Sequence, residues 1–584
     1  MTIREEIESQ LVPLFQKMGV DPVLGKIAIS DRPDLADYQC NGAMSAARIL
    51  GKSPRMIAEE IMARLQIPGM DISIAGPGFL NFRCHSDFLA QKAADQLPMP
   101  NHGIAPAPLS LNIILDYGGL NVAKPMHVGH LRSCIIGECL KRLLRLKGHN
   151  VLADIHLGDW GTQMGLLIHG LQERHPDWVY FDAQYKEAYP KDSPVSLEDL
   201  DQLYPVMSAA AKDNEDIAKA ARKAVQELQS GRRGYRALWQ HFVNISVQDI
   251  KQQLDCLGVH FDQWFGESRY QDALAPMVED LLAKGLAQHS KGAVVIPVQV
   301  ATDKNEIPPL LLQKSDGGYL YGTTDIATLQ ERMEKFKADL VIYVVDQRQA
   351  LHFEQVFRGA KQAGFTPETV FVGFGTMNGS DNKPFKTRSG GVMRLQELTD
   401  LLQEEATKRM IEGGLDAHLS PQEQERTALQ IGLAALKFAD LQHDPKQNYQ
   451  FSIEKFMRFE GKTGPYLQYA SVRIQAMMDK ARVEEIAAAP ILADDLSSEE
   501  RELLLHLVRT SEYIDQAAGT LAPHIICEAA FTLAQSFSRF YQNCPLLQEK
   551  NKDKQGSRLS LVQLTYQTLS LYLGLLGIEI PKKM

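Results

Sequence analysis

The chain has 584 residues, 44% hydrophobic and 23% charged, the balance of a globular protein too long for a single hydrophobic core. With 62 basic against 72 acidic residues the net charge is −10, which argues mildly against nucleic acid as a partner unless a basic face coexists with acidic ones. No run approaches the roughly 18 apolar residues of a membrane span, and seven scattered cysteines without a C-x-x-C pair fit neither a disulfide framework nor a structural zinc site.

In chain order, the first residues (Ile3, Glu5, Glu6, Glu8) read as an acidic helix, so no targeting peptide is expected and the cytosol is the expected compartment. Residues 1–107 read as a small α+β domain that closes on a Pro-rich linker, residues 97–108. Residues 108–171 open with an apolar strand at 111–115. A Gly-containing loop, a helix from about His130 to Lys147 stopped by Gly148, and a strand at 151–155 follow. Strand, helix and strand in so short a span predict a βαβ unit with a right-handed crossover. Residues 172–290 are charged and helical in pattern, an insertion. Strands at 293–296, 310–312, 340–345 and 370–372 alternate with helices, so residues 291–391 read as the second half of one doubly wound parallel sheet. From 392 to 584 amphipathic patterns predict an all-α bundle.

The densest chemistry is Asn121-Val122-Ala123-Lys124-Pro125-Met126-His127-Val128-Gly129-His130, where the first strand turns into its helix at the carboxyl edge of the sheet. Such edges bind ligands, and a helix N-terminus favours phosphate. His127 and His130 can donate to phosphate oxygens as charge builds, and Gly129 lets a planar base approach the backbone. Zinc fits poorly, since no third ligand is close in sequence. Residues 383–391, with Lys386 and Ser389, read alone as a solvated basic loop. Tyr321 and Asp325 stand four apart at the start of a helix and can share a face, although an acid there also serves the helix dipole. The polar run from Asp346 to His352, which includes Gln349, follows a very apolar strand and suits a ribose or amino-acid site. In residues 459–473, aromatics lie among Lys462 and Arg473. They could stack unpaired bases or equally fill a helical core.

The run from Asp116-Tyr117 through Asn121 to Ser133, with Gly158-Asp159-Trp160-Gly161-Thr162-Gln163 downstream, resembles the signature region of bacterial-type arginyl-tRNA synthetases of class I. One departure is Gly118-Gly119-Leu120, which removes the hydroxyls that the family often carries before the asparagine. Residues 383–391 are similar to the family's variant of the Lys-Met-Ser-Lys-Ser loop, with Lys386 as its first lysine and Ser389 in place of the second. Residues 30–42, 75–81, 459–473, 540–545 and 577–581 extend the resemblance over nearly the whole chain. It implies a class I Rossmann-like catalytic domain with an insertion, an N-terminal domain contacting the tRNA elbow and a C-terminal anticodon-binding bundle. The implied reaction attaches L-arginine to tRNA(Arg) through arginyl-adenylate formed from ATP with Mg2+, and bound tRNA is needed for efficient adenylate formation. No structural metal, no membrane and a monomer are expected.

The resemblance also implies residue roles. Lys124, His127, His130 and Lys386 are catalytic, and Lys124 takes the place of the cation missing at Ser389. ATP is met by those residues with Gly129, Asp346 and Ser389, and arginine by Asp116, Asn121, His130, Tyr321, Asp325 and Gln349. The tRNA is met by Tyr38, Asn41, Lys462, Tyr466 and Arg473. The rivals are another adenylate-forming ligase of this fold, disfavoured by the long C-terminal block, and a non-catalytic tRNA-binding paralogue, disfavoured by the intact histidines and lysines.

Overall fold

A computed structural model describes the chain except residues 97–98, 380, 384, 386–392, 416 and 418. It forms two compact units, Ala107–Arg458 and a second made of Met1–Pro106 with Phe459–Met584.

The larger unit is built on a five-stranded parallel sheet, whose inner strands are mostly apolar because both faces are covered. Its elements, in chain order, are β1 (Asn112–Asp116), α1 (Val128–Leu146), β2 (Asn150–Leu157), α2 (Leu197–Asp213), α3 (Arg233–Cys256), β3 (Gln263–Gly266), α4 (Tyr321–Glu334), β4 (Leu340–Asp346) and β5 (Glu368–Phe374). The strand order is β5-β4-β1-β2-β3, so the chain reverses direction across the sheet between β1 and β4, where Asp116 pairs with Tyr343. This is the doubly wound arrangement predicted, and it opens a crevice at the carboxyl ends of those two strands. The predicted strands at 293–296 and 310–312 leave this sheet. They form a small antiparallel one with Gln288–Ser290 and cover the α4 side of the core.

The helical insertion is no separate body. Its core takes in Val122 and Ala123 from the loop after β1, together with Leu200, Leu203, Leu238 and Phe242. The predicted C-terminal block divides between the two units. Helices Leu395–Glu412 and Pro421–Leu441 pack in the larger one, where Arg132 of α1 is buried against Asp440 at 3.2 Å.

The smaller unit holds a four-stranded antiparallel sheet (Ala28–Ile29, Tyr38–Cys40, Phe79–Cys84, Met70–Ala75) and helices including Gly464–Val483, Ser498–Val508, Thr510–Thr520, His524–Asn543 and Lys552–Leu575. Distant stretches of sequence join through a buried polar knot. Arg501 reaches the Asp37 carboxylate at 2.7 Å, and Arg509 reaches the Asp37 carbonyl at 2.5 Å. Asp37→Ala, which strands a mostly buried guanidinium, is expected to destabilise this unit by about 3 kcal/mol in chemical denaturation.

Candidate functional site

The histidine motif caps α1 with its own side chains. His127 is the N-cap; its Nδ1 accepts from Gly129 N at 3.1 Å, and His130 Nδ1 accepts from His127 N at 3.3 Å. The two rings stack with centroids 3.7 Å apart. A side chain on Gly129 would strike the His127 ring at 2.9 Å, so the glycine is needed for the histidine to fold back as well as for access. With both Nδ1 atoms accepting, each neutral ring carries its proton on Nε2. Burial, then neighbouring positive charge, lowers both imidazoles, His130 to about 3. Near neutral pH the pair therefore offers two uncharged N–H donors. The first amides of the helix are already engaged, Val128 by Met393 O and His130 by His127 O, which leaves side chains to meet phosphate.

Lys124 is aimed by strained backbone. Ala123 holds φ +61°, a left-handed conformation costly for a residue with a Cβ. The fully buried Ser246 of α3 accepts from Ala123 N at 2.8 Å, while Gln163 donates to Val122 O at 2.9 Å. The Lys124 ammonium lies 4.3 Å from the Tyr204 ring of α2. Gly118 and Gly119 also have positive φ, and Ser133 Oγ ties the Gly118 amide (2.8 Å) to Val344 O (2.6 Å). Lys386 and Ser389 lie outside the described residues. The chain after them returns onto the histidines, with Val128 N bonded to Met393 O and Leu395 N to Met126 O. Asp346 ends β4, closed in a ring with Arg348 (2.8 Å and 2.7 Å), and Gln349 follows it exposed.

The predicted arginine contacts separate into two groups. Tyr321 is the first residue of α4 and 69% exposed; Asp325, a turn later, is hydrogen-bonded to His352 Nε2 at 2.6 Å. That bond raises the His352 imidazole above its ordinary value. Asn121 packs on Gly158, where a Cβ would lie 2.3 Å from its amide oxygen. Asp116 differs from expectation. Its carboxylate is buried and taken by Arg332 of α4 at 2.5 Å, with Asp154 sharing the same nitrogen at 2.7 Å. Arg332 therefore already balances part of the charge on Asp116, while among the described residues its other carboxylate oxygen carries no such pair. Asp116, Asp154 and His156 could also gather around a cation, but Arg332 already supplies one.

Glu267 was not among the expected site residues. It opens the turn Glu267–Tyr270 after β3, and among the described residues none donates a hydrogen bond to it. Burial first, then the charges of Asp159 and Asp325, push its carboxyl up to about 8. Asp159 is itself satisfied by Ser268, at 2.6 Å to Oγ and 2.9 Å to N. Glu267 in turn raises the Tyr321 phenol, after burial. An acid with no donor among the described residues, raised in part by the charge of a second acid, is a candidate partner for a planar cation.

In the smaller unit Tyr38 cannot touch RNA. It is 0% exposed, donates to Glu512 at 2.9 Å and accepts from Arg509 at 3.2 Å. Its aromatic size fills the core, and its hydroxyl belongs to the polar knot. Asn41 is exposed, with no capping bond from its side chain. Arg473 lies 3.7 Å from the ring centre of Tyr541, Lys462 pairs with Glu528 at 2.5 Å and Tyr466 meets Ser538 at 3.3 Å. Tyr469 (42% exposed) and Tyr541 (36%) add exposed rings to these cations.

Three family models match the chain. They are the class I (R) tRNA synthetase catalytic domain over residues 104–453, the DALR anticodon binding domain over 467–584 and the arginyl tRNA synthetase N terminal domain over 1–84. The chain is 44% identical to the arginine–tRNA ligase of Maricaulis maris, with 100% of both chains covered, and 43% identical to that of Agathobacter rectalis, with 99% of both covered. It superposes on the Thermus thermophilus arginyl-tRNA synthetase with a TM-score of 0.83 at 24% identity, over 100% of both chains, a likeness of fold.

Proposed function

The chain belongs to the arginyl-tRNA synthetase family and so charges tRNA(Arg) with arginine in an ATP-dependent reaction; from that premise we propose how its residues divide the work. Arginine's carboxylate attacks the α-phosphate of ATP, giving arginyl-adenylate and pyrophosphate. The 3′-terminal adenosine of the tRNA then takes the arginyl group. The Nε2–H donors of His127 and His130 meet phosphate oxygens, and Lys124 answers the charge that grows at the α-phosphate. Lys386 adds a second cation, while Ser389 beside it adds none. Gly129 leaves the approach open to adenosine, and Asp346 faces the ribose. Mg2+ enters with ATP as part of the substrate.

At the other end Glu267 and Asp325 receive the guanidinium, with Tyr321 beside them. Asn121, Gln349 and His130 hold the α-amino and carboxylate groups. No side chain bonds covalently to substrate; positioning and electrostatics carry the rate. Residues 1–107 meet the tRNA elbow through Asn41. Lys462, Tyr466 and Arg473, joined by Tyr469 and Tyr541, meet unpaired anticodon bases. Arg473→Ala is expected to raise the KM for tRNA roughly tenfold, with the KM values for ATP and arginine unchanged in aminoacylation assays. The same reading takes the enzyme as a cytoplasmic monomer whose adenylate step needs bound tRNA.

The observation that supports this reading most is the half-buried Glu267, which accepts no hydrogen bond among the described residues and whose carboxyl is raised in part by Asp325, on the sheet edge that carries the neutral histidine stack. Pyrophosphate exchange into ATP across a panel of amino acids, with and without tRNA, tests it. Exchange with arginine alone, dependent on tRNA, is expected; preference for another amino acid would refute it.

A further inference from the structure

No described residue donates to the Glu267 carboxylate, so its position is set by the far end of its turn. There Arg269 grips Glu331 of α4 with two prongs, Nε to Oε2 at 2.9 Å and Nη2 to Oε1 at 2.8 Å. The Tyr270 hydroxyl adds a bond of 2.9 Å to Oε2, and Lys335 one of 2.8 Å to Oε1. Burial pushes the Glu331 carboxyl up, but these donors hold it down at about 2, so it is charged across the working range. Its neighbour Arg332 faces the sheet and binds Asp116 and Asp154. One helix thus carries Asp325 near its start and, further along, adjacent charges of opposite sign that fasten it to the sheet and to the turn bearing Glu267.

We propose that Glu331 is a positioning residue for amino-acid selection: by gripping Arg269 and Tyr270 it locks the turn that carries Glu267 to the helix that carries Asp325, and so sets the gap a guanidinium must fill. This rests on Glu267 and Asp325 being the partners of the guanidinium. A planar fork needs both carboxylates at fixed spacing, whereas a compact ammonium tolerates a looser pair. Loosening the clamp therefore weakens arginine and relaxes the rejection of lysine. The phosphate end depends on other elements and is left alone.

Pyrophosphate exchange by the full-length enzyme with saturating tRNA is the test. Glu331→Ala is expected to raise the KM for arginine roughly tenfold, to leave the KM for ATP within about twofold, and to raise the lysine-to-arginine ratio of kcat/KM. Glu331→Gln, which keeps the shape and one acceptor oxygen, should recover part of the loss. Arg269→Ala, on a side chain 38% exposed, should repeat the signature and keep the question answerable if Glu331→Ala does not fold. Equal rises in both KM values would mark a merely structural role and overturn the proposal. So would an unchanged KM for arginine in both variants while Glu267→Gln raises it. No effect of Glu267→Gln would sink the guanidinium reading itself, and the proposal with it.

Discussion

Lys124→Ala is expected to slow arginyl-adenylate formation by at least about tenfold, ~1.4 kcal/mol of barrier, with little change in the KM for arginine. Charge accumulates on the α-phosphate and departing pyrophosphate during attack, and a site that answers it needs cations already in place. The histidine pair cannot supply one, because burial keeps both rings neutral. Ser389 cannot either. Lys124 is left as the fixed cation of the motif. The structure also invests in its placement, through a left-handed Ala123 bonded to the fully buried Ser246. Pyrophosphate exchange at saturating arginine and tRNA measures the effect; a wild-type rate would remove Lys124 from the mechanism.

Glu267→Gln is expected to act at the other end, raising the KM for arginine by about 100-fold and leaving ATP unaffected, since an amide cannot balance a buried guanidinium. The wild-type pocket should also be pH-dependent. Burial and the two neighbouring acids hold the free Glu267 carboxyl up at about 8, and a bound guanidinium lowers it. The ionised form binds arginine, so affinity is complete above that value and falls as pH drops through it, by up to about tenfold per unit. The KM for arginine should therefore rise between pH 8 and pH 6, and Glu267→Gln should flatten that slope. A KM for arginine that rises with pH would contradict the assignment.

Much of the fold was legible in the sequence because its signals are local. The inner strands of a parallel sheet are buried on both faces and read as unbroken apolar runs, as in residues 340–345. The histidine motif is contiguous, and so is its cap geometry. What escaped depends on meetings between distant residues. Asp116 was expected beside the arginine substrate, and no local signal gives its ion pair with Arg332, 216 residues away. Tyr38 was expected to meet tRNA because the resemblance implied it, but its neighbours Arg509 and Glu512 lie more than 470 residues away. Glu267 sits in an ordinary Gly-Glu-Ser stretch. Its meaning arises only when the end of β3 is laid beside α4, and β3 itself lies inside the stretch read as a helical insertion. The helices after residue 392 read as a bundle because amphipathic periodicity gives the width of the buried face and not its partner.

On the proposed assignment, Glu267 and Asp325 read the charge of the guanidinium. Calorimetric titration of the tRNA-bound enzyme with arginine and with citrulline, its neutral counterpart of nearly equal shape, tests this most directly. Arginine is expected to bind at least about 100-fold more tightly than citrulline. Its binding at pH 7 should release a proton, seen as a dependence of the heat on the buffer's ionisation enthalpy. Comparable affinity for the two ligands, with no proton released, would contradict it.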